Sequence, residues 1–326
     1  MPALALSVRP FAPELADQWD ALVGRSVNGT FLQTRRFLAY HGDRFVDCSL
    51  VVEDAAGALL GVFPAARIES DGLQIDSHPG ITHAGLVHDG SLVGDHARNA
   101  LRLVLDHYRV LGAQRLRYKL IPGVFRKSSS QDDAWAVVQA GARLSRSELA
   151  CIIDLSAPAR LSNGRKDDLR KAKRAGIEIQ RGAELTASYW EVLEAALRQR
   201  HNSRPVHSLL EIRDLMTRFP QQIETAVAVR SGEVLAGTLL FHFERCSHTQ
   251  YLASAPEGQA LGALTLVLND AISRAHDHGK RWFSLGASTL EGGTVLNAGL
   301  YDWKSSFGAT GMVHETYSFE VASTTT

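Results

Sequence analysis

The same order of elements is written twice along this chain, and that repetition constrains the fold more than anything else in the sequence. In the first half, apolar stretches at 46–53 and 58–68 flank Asp54-Ala55-Ala56-Gly57, a turn composition that predicts a hairpin. Two strand-like pieces follow within 74–88, broken by Pro79-Gly80. Residues 95–111 place Ala97, Ala100, Leu101, Val104, Leu105 and Tyr108 on one helical face, Gly112 ends the helix, and 115–121 alternates as a strand. In the second half the hairpin is 224–243 around Ser231-Gly232-Glu233, then come a strand at 248–253, a helix at 260–278 and a strand at 281–285. Leu60-Gly61-Val62-Phe63 corresponds in place to Ala236-Gly237-Thr238-Leu239, and Arg115-Leu116-Arg117-Tyr118 to Arg281-Trp282-Phe283-Ser284. Order and pattern agree while identity is low, as in diverged copies of one unit. The expected class is α+β in three layers, with two tandem domains at 1–155 and 156–326, each a central mixed sheet flanked by helices.

A chain of 326 residues is longer than one hydrophobic core usually grows, which agrees with two domains. Its 35 Lys and Arg balance 35 Asp and Glu, so a nucleic-acid or acidic-substrate role must come from local clusters. Cys48, Cys151 and Cys246 lie far apart without CxxC spacing or paired histidines; neither a disulfide framework nor a metal site is predicted. The N-terminus has no basic region ahead of an apolar run, and no run approaches the roughly 18 apolar residues of a membrane span. The expectation is a cytoplasmic protein without a transmembrane segment, which can still act on lipid-linked substrates.

Between the two copies, Asn163 can cap a helix in which Arg165, Lys166, Arg170, Lys171, Lys173 and Arg174 are relieved only by Asp167 and Asp168, and which Gly176 stops. Such a helix fits either a solvated face at a domain boundary or a contact to phosphate or RNA backbone. Further on, 200–208 (Arg200 to Ser208) reads as a polar loop holding His201, Arg204 and His207, and Ser208 with Glu211 fits a capping box. The segment 257–263, between a strand and a helix, can turn backbone N–H groups toward an anion, or its glycines can simply permit tight packing. Lys304, between an aromatic and a glycine in 297–308, fits either a snorkelling helix lysine or a cation for a phosphate or developing oxyanion.

The strand, turn and helix of 251–279 resemble the donor core of the GCN5-related N-acetyltransferase (GNAT) superfamily. Its signature is Gln or Arg, two residues, Gly, one residue, then Gly or Ala; Gln259 and Gly262 match, and Leu264 stands where the small residue is expected. The duplication, the basic segment and the terminal aromatic-Lys-x-x-Phe-Gly pattern at 303–308 resemble the Fem family, two such domains in tandem, whose members transfer amino acids from aminoacyl-tRNA to amines of peptidoglycan precursors. Arg200-His201-Asn202, Pro205-Val206-His207-Ser208, His248-Thr249-Gln250-Tyr251, Phe283-Ser284-Leu285-Gly286, Ser288 and Asn297 are similar to a wider group of that fold linked to polysaccharide synthesis.

The resemblance implies donor binding at Gln259 and Gly262, with Lys304 at acceptor phosphate or a tetrahedral intermediate. Our own placement adds Arg200 and Arg204 for an anionic ligand, and Gln250, Tyr251, Ser284, Ser288 and Asn297 as cleft residues. An activated acyl ester needs mainly a neutral, aligned amine, and His207 or His201 is suited to take the proton. The expected activity is acyl or aminoacyl transfer from acyl-CoA or aminoacyl-tRNA to an amine of an amino sugar or a lipid-linked envelope or polysaccharide precursor. The tRNA would contact the basic helix, and DNA is not an expected partner. The alternative is a non-catalytic binding or assembly protein of the same machinery.

Overall fold

Two long helices form where a broad apolar face ends in a glycine able to turn left-handed. Asp95–Val110 ends before Gly112 (φ +80°) and Ala263–Asp277 before Gly279 (φ +71°). The computed structural model describes residues 4–68, 74–157 and 160–321, with backbone alone at 200 and 201. Two compact units emerge, Met1–Glu148 with Val313–Thr326, and Leu149–Met312. The tail 323–326 lies outside the described residues.

In the first unit an antiparallel sheet orders Leu6–Pro10, Leu50–Asp54, Leu59–Phe63 and Val87–His88. Next to it in sequence, 74–76 pairs in parallel with 115–117, and 316–320 pairs antiparallel with 115–119. The core gathers Val52, Phe63, Leu101, Val104, Leu116 and Tyr118, all almost fully buried. Burying one such side chain contributes about 1.5–3 kcal/mol.

The second unit is a mixed sheet in the order Glu178–Arg181, Ile223–Arg230, Glu233–His242, Cys246–Ser254, Trp282–Ala287 and the 149–154 end of Arg143–Asp154. Its neighbours are antiparallel except for the parallel pair of 246–248 with 282–284. The helix Ala263–Asp277 buries Leu266, Val267, Leu268, Ala271, Ile272 and Ala275. The architecture is thus the expected α+β one, helices flanking mixed sheets.

Several local expectations change. The stretch 31–44 is no single helix but Phe31–Gln33, Arg35–Leu38 and Ala39–Arg44, with Gly42 at φ +55° breaking the last piece. The basic helix Asn163–Arg174 is capped by Ser162, not Asn163: Ser162 is extended and its hydroxyl accepts from Arg165 N–H. The segment 257–263 is no open loop. Pro256–Leu261 is a short helix begun by proline, and Gly262 turns left-handed before the long helix starts. The strands Arg143–Asp154 and Thr310–Glu320 carry too many polar residues to announce themselves by alternation.

Candidate active site

Past His248 and Ser284, Cys246–Ser254 and Trp282–Ala287 have no further register in common. In the same unit a cavity of about 650 Å³ opens against the strand end at 252–254. The turn after that strand is held by glycines for definite reasons. A Cβ on Gly258 would stand 2.2 Å from Leu235 O. At Gly262, φ is +74° and a Cβ would stand 2.7 Å from Asp168 O. No side chain caps the helix that follows, so its first N–H groups lack the partner a cap would give, while Gly262, Leu264 and Thr265 line the cavity.

The basic helix supplies the charged wall. Arg165 Nη1 donates to Thr265 Oγ1 at 3.0 Å and pairs with Asp168 Oδ2 at 3.0 Å. Thr265 Oγ1 in turn donates to Asp168 Oδ2 at 3.0 Å, while Arg165 Nε is buried without a hydrogen-bond partner. Gln259 lines the cavity too, and its Nε2 donates to Ser254 O at 3.1 Å, bracing the turn. Asn297 lines the cavity as well; its Oδ1 accepts from Leu300 N–H at 3.1 Å and starts the helix Ala298–Ser305.

Lys304 is not on that wall. It is buried, and its Nζ donates to Gly286 O at 3.0 Å and Ala287 O at 2.6 Å, tying down the strand end. Burial lowers its pKa to about 8, against a smaller upward pull from Cys151. Cys151 Sγ lies 3.3 Å from Ser288 Oγ, so Ser288 belongs to this buried cluster. His207 and Tyr251 form a third group. The Tyr251 hydroxyl accepts the His207 backbone N–H at 3.3 Å and sits 2.7 Å from Nδ1, and burial raises its pKa. Which of the hydroxyl and Nδ1 donates follows the tautomer of the imidazole. Ser284 Oγ lies 3.0 Å from His248 Nδ1, Gln250 is half-buried, and Arg204 is exposed. The side chains of Arg200 and His201 lie outside the described residues; their backbone completes the helix Thr186–His201.

Gln259, Gly262 and Asn297 therefore share one cavity, and the other described candidates sit in separate groups. Sequence reading missed Asp168 and Thr265 as site residues and treated Arg165 only as one cation among six. The i,i+3 spacing of Arg165 and Asp168 was the signal available. Among the described residues no cluster of His, Cys, Asp and Glu could hold a metal ion, and no helix is long and apolar enough to cross a membrane.

Residues 161–305, which contain every wall of this cavity, match a family model described as an acetyltransferase (GNAT) domain. Among solved structures, FemX is 12% identical with a TM-score of 0.67, over 96% of this chain and 97% of that one. The chain has a Fem-like GNAT fold. L-PGS from Bacillus licheniformis is similar at 13% identity and a TM-score of 0.62, covering 97% of this chain and 94% of that one. A tandem GNAT protein from the clavulanic acid biosynthesis pathway is similar at 14% identity and a TM-score of 0.54, covering 98% and 100%. No curated protein sequence matches. The mixed sheets flanked by helices are thus those of a tandem GNAT fold.

Proposed function

We propose that the second unit is an N-acyltransferase, moving an acyl or aminoacyl group from acyl-CoA or aminoacyl-tRNA to an amine of an amino sugar or a lipid-linked envelope precursor. The observation that carries this reading is the cavity at the uncapped N-terminus of Ala263–Asp277, inside the stretch that matches an acetyltransferase domain. A phosphate there would be met by the helix dipole, the first-turn N–H groups and the unpartnered Arg165 Nε. Gln259 and Gly262 shape that turn, and Asn297 bounds the cavity near the reacting group. The two proposed GNAT-like domains are 1–155 and 156–326, the second carrying the donor site.

The acceptor amine attacks the donor carbonyl, the tetrahedral intermediate collapses, and the thiol or ribose hydroxyl leaves. Alignment supplies most of the acceleration, because the donor is already activated. Tyr251 with His207 lines the approach of the amine, with Ser284 buried behind it against His248, and the amine passes its proton to solvent or to the His207–Tyr251 pair. Arg200, His201, Arg204 and Gln250 serve acceptor binding, and Ser288 packs beside Lys304. Lys304 acts by holding Gly286 and Ala287, with its charge available to a developing oxyanion.

Between donors, the exposed cations Lys166, Arg170, Lys171, Lys173 and Arg174 favour tRNA, and the zero formal net charge of the chain favours coenzyme A. A thermal-shift titration with coenzyme A and acetyl-CoA, followed by aminoacyl-tRNA at two salt concentrations, tests the reading. A donor at a hundred times its Kd stabilises the chain by about 2.7 kcal/mol. The expected result is such a shift with one donor class; silence from both would leave a non-catalytic assembly role.

A further inference from the structure

Three glycines line the cavity, and only two are required by the backbone. Gly258 and Gly262 cannot carry a side chain without meeting Leu235 or Asp168. Gly299 differs. It lies in the first turn of Ala298–Ser305, and a Cβ built on it meets no atom within 4 Å. Glycine is a poor helix former, and nothing in the packing demands it here. It lines the cavity, exposed and without a side chain.

Much of the cavity that Gly299 lines is apolar. Leu193, Leu197, Leu252, Leu264, Leu300 and Trp303 form much of the wall. Its two charged residues, Arg165 and Asp168, neutralise each other. The small hairpin just before, Thr289–Leu290 with Val295–Leu296, sets Leu290 directly opposite Val295. Leu290, Val295, Leu296 and Leu300 remain 52%, 41%, 46% and 37% exposed, and of these Leu300 lines the cavity while the others lie on the hairpin just before its helix in the chain. Apolar surface grouped in this way marks a binding position, since isolated exposed leucines need no such explanation.

From this geometry we infer that the cavity takes an unbranched, medium-length apolar acyl chain, and that Gly299 is the specificity-determining residue that admits it. The inference rests on the acyl-donor reading above and names its acyl group. A two-carbon group would leave the leucine and tryptophan wall mostly uncovered, whereas each methylene of a longer chain gains by leaving water. A side chain at 299 would occupy the space the chain needs.

The test is calorimetric titration of the full chain with acetyl-CoA, octanoyl-CoA, dodecanoyl-CoA and dodecanoyl-pantetheine, which lacks the nucleotide. Dodecanoyl-CoA is expected to bind at least about tenfold more tightly than acetyl-CoA, with octanoyl-CoA between them. Gly299→Leu, which suits a helix, should reduce that gain to within about threefold, and Leu296→Ser on the exposed rim should reduce it less. Equal affinity for acetyl-CoA and dodecanoyl-CoA, or an undiminished gain in Gly299→Leu, would overturn the inference. Binding of dodecanoyl-pantetheine but of no coenzyme A thioester would refute coenzyme A as donor and uphold the apolar chain. Binding of neither dodecanoyl probe would overturn the chain assignment itself.

Discussion

Both units contain a parallel strand pair bonded over three registers with a long helix in the connection, and a cavity touches the start of that helix in each. In the second unit the end of the strand at 252–254 lines it too, whereas the first unit's cavity of about 700 Å³ runs along Asp95–Val110 and takes no residue from 74–76 or 115–117. In the first unit, past 74–76 and 115–117, Tyr118 is wholly buried and its hydroxyl accepts from Leu86 N–H at 2.8 Å. Its ring lies so close to Gly85 that a Cβ there would stand 2.4 Å away. Lys119 Nζ donates to the carbonyls of His78, Pro79 and Ile81 at 3.0–3.1 Å and stitches the connection shut. In the second unit the comparable lysine, Lys304, reaches the strand end from a different helix and leaves the cavity clear. At the strand end the same topology can therefore be filled or left open, and a few side chains decide which.

The largest effects should come from exchanging the glycines that make the difference. Gly262→Val forces a β-branched residue to φ +74° and against Asp168, and should weaken donor binding about a hundredfold or more. Gly85→Ala, against Tyr118, should lower the stability of the first unit by about 2–3 kcal/mol while leaving donor Kd unchanged. Denaturant melts and donor titrations of both variants check this, and a donor defect in Gly85→Ala would break the comparison.

The two buried lysines come next. Both have pKa values lowered to about 8, chiefly by burial. Because the unfolded chain holds the Lys304 proton more tightly, stability rises as pH passes from about 8 toward 10.5, and the penalty is fully present below 8. The slope is at most about 1.4 kcal/mol per pH unit for this lysine. Lys304→Met should remove the Lys304 part of that rise in pH-dependent melts and leave the part due to Lys119, and Lys304→Ala should lower turnover more than His207→Ala. Wild-type turnover in Lys304→Ala would confine the residue to folding.

Smaller still is Arg165→Ala, expected to weaken donor binding about tenfold with Arg165→Lys recovering only part, as titration would show. At the bottom, Lys173→Ala on the exposed face should change stability by less than about 0.5 kcal/mol and matter only for a tRNA donor, where the salt slope of binding would fall.

Much of the fold was legible because periodicity is local: the hairpins, the two long helices and the strands after them follow from apolar spacing and glycine stops. The site was legible only in part. Gln259 and Gly262 announce a turn through their own chemistry. By contrast, the contact of Asp168 with Gly262 and Thr265 joins residues nearly a hundred positions apart, which no local pattern encodes. Lys304 drew attention as a cation beside an aromatic, but its partners are two backbone carbonyls, and carbonyls leave no mark in a sequence. Gly299 is the converse case, a residue whose meaning lies in empty space.

The most direct test of the central contrast is amide hydrogen exchange on the full chain with and without saturating donor, acetyl-CoA or aminoacyl-tRNA. Protection confined to 254–266, with 77–94 unchanged, is the predicted result. Protection in 77–94, or none at 254–266 under saturation, would contradict it.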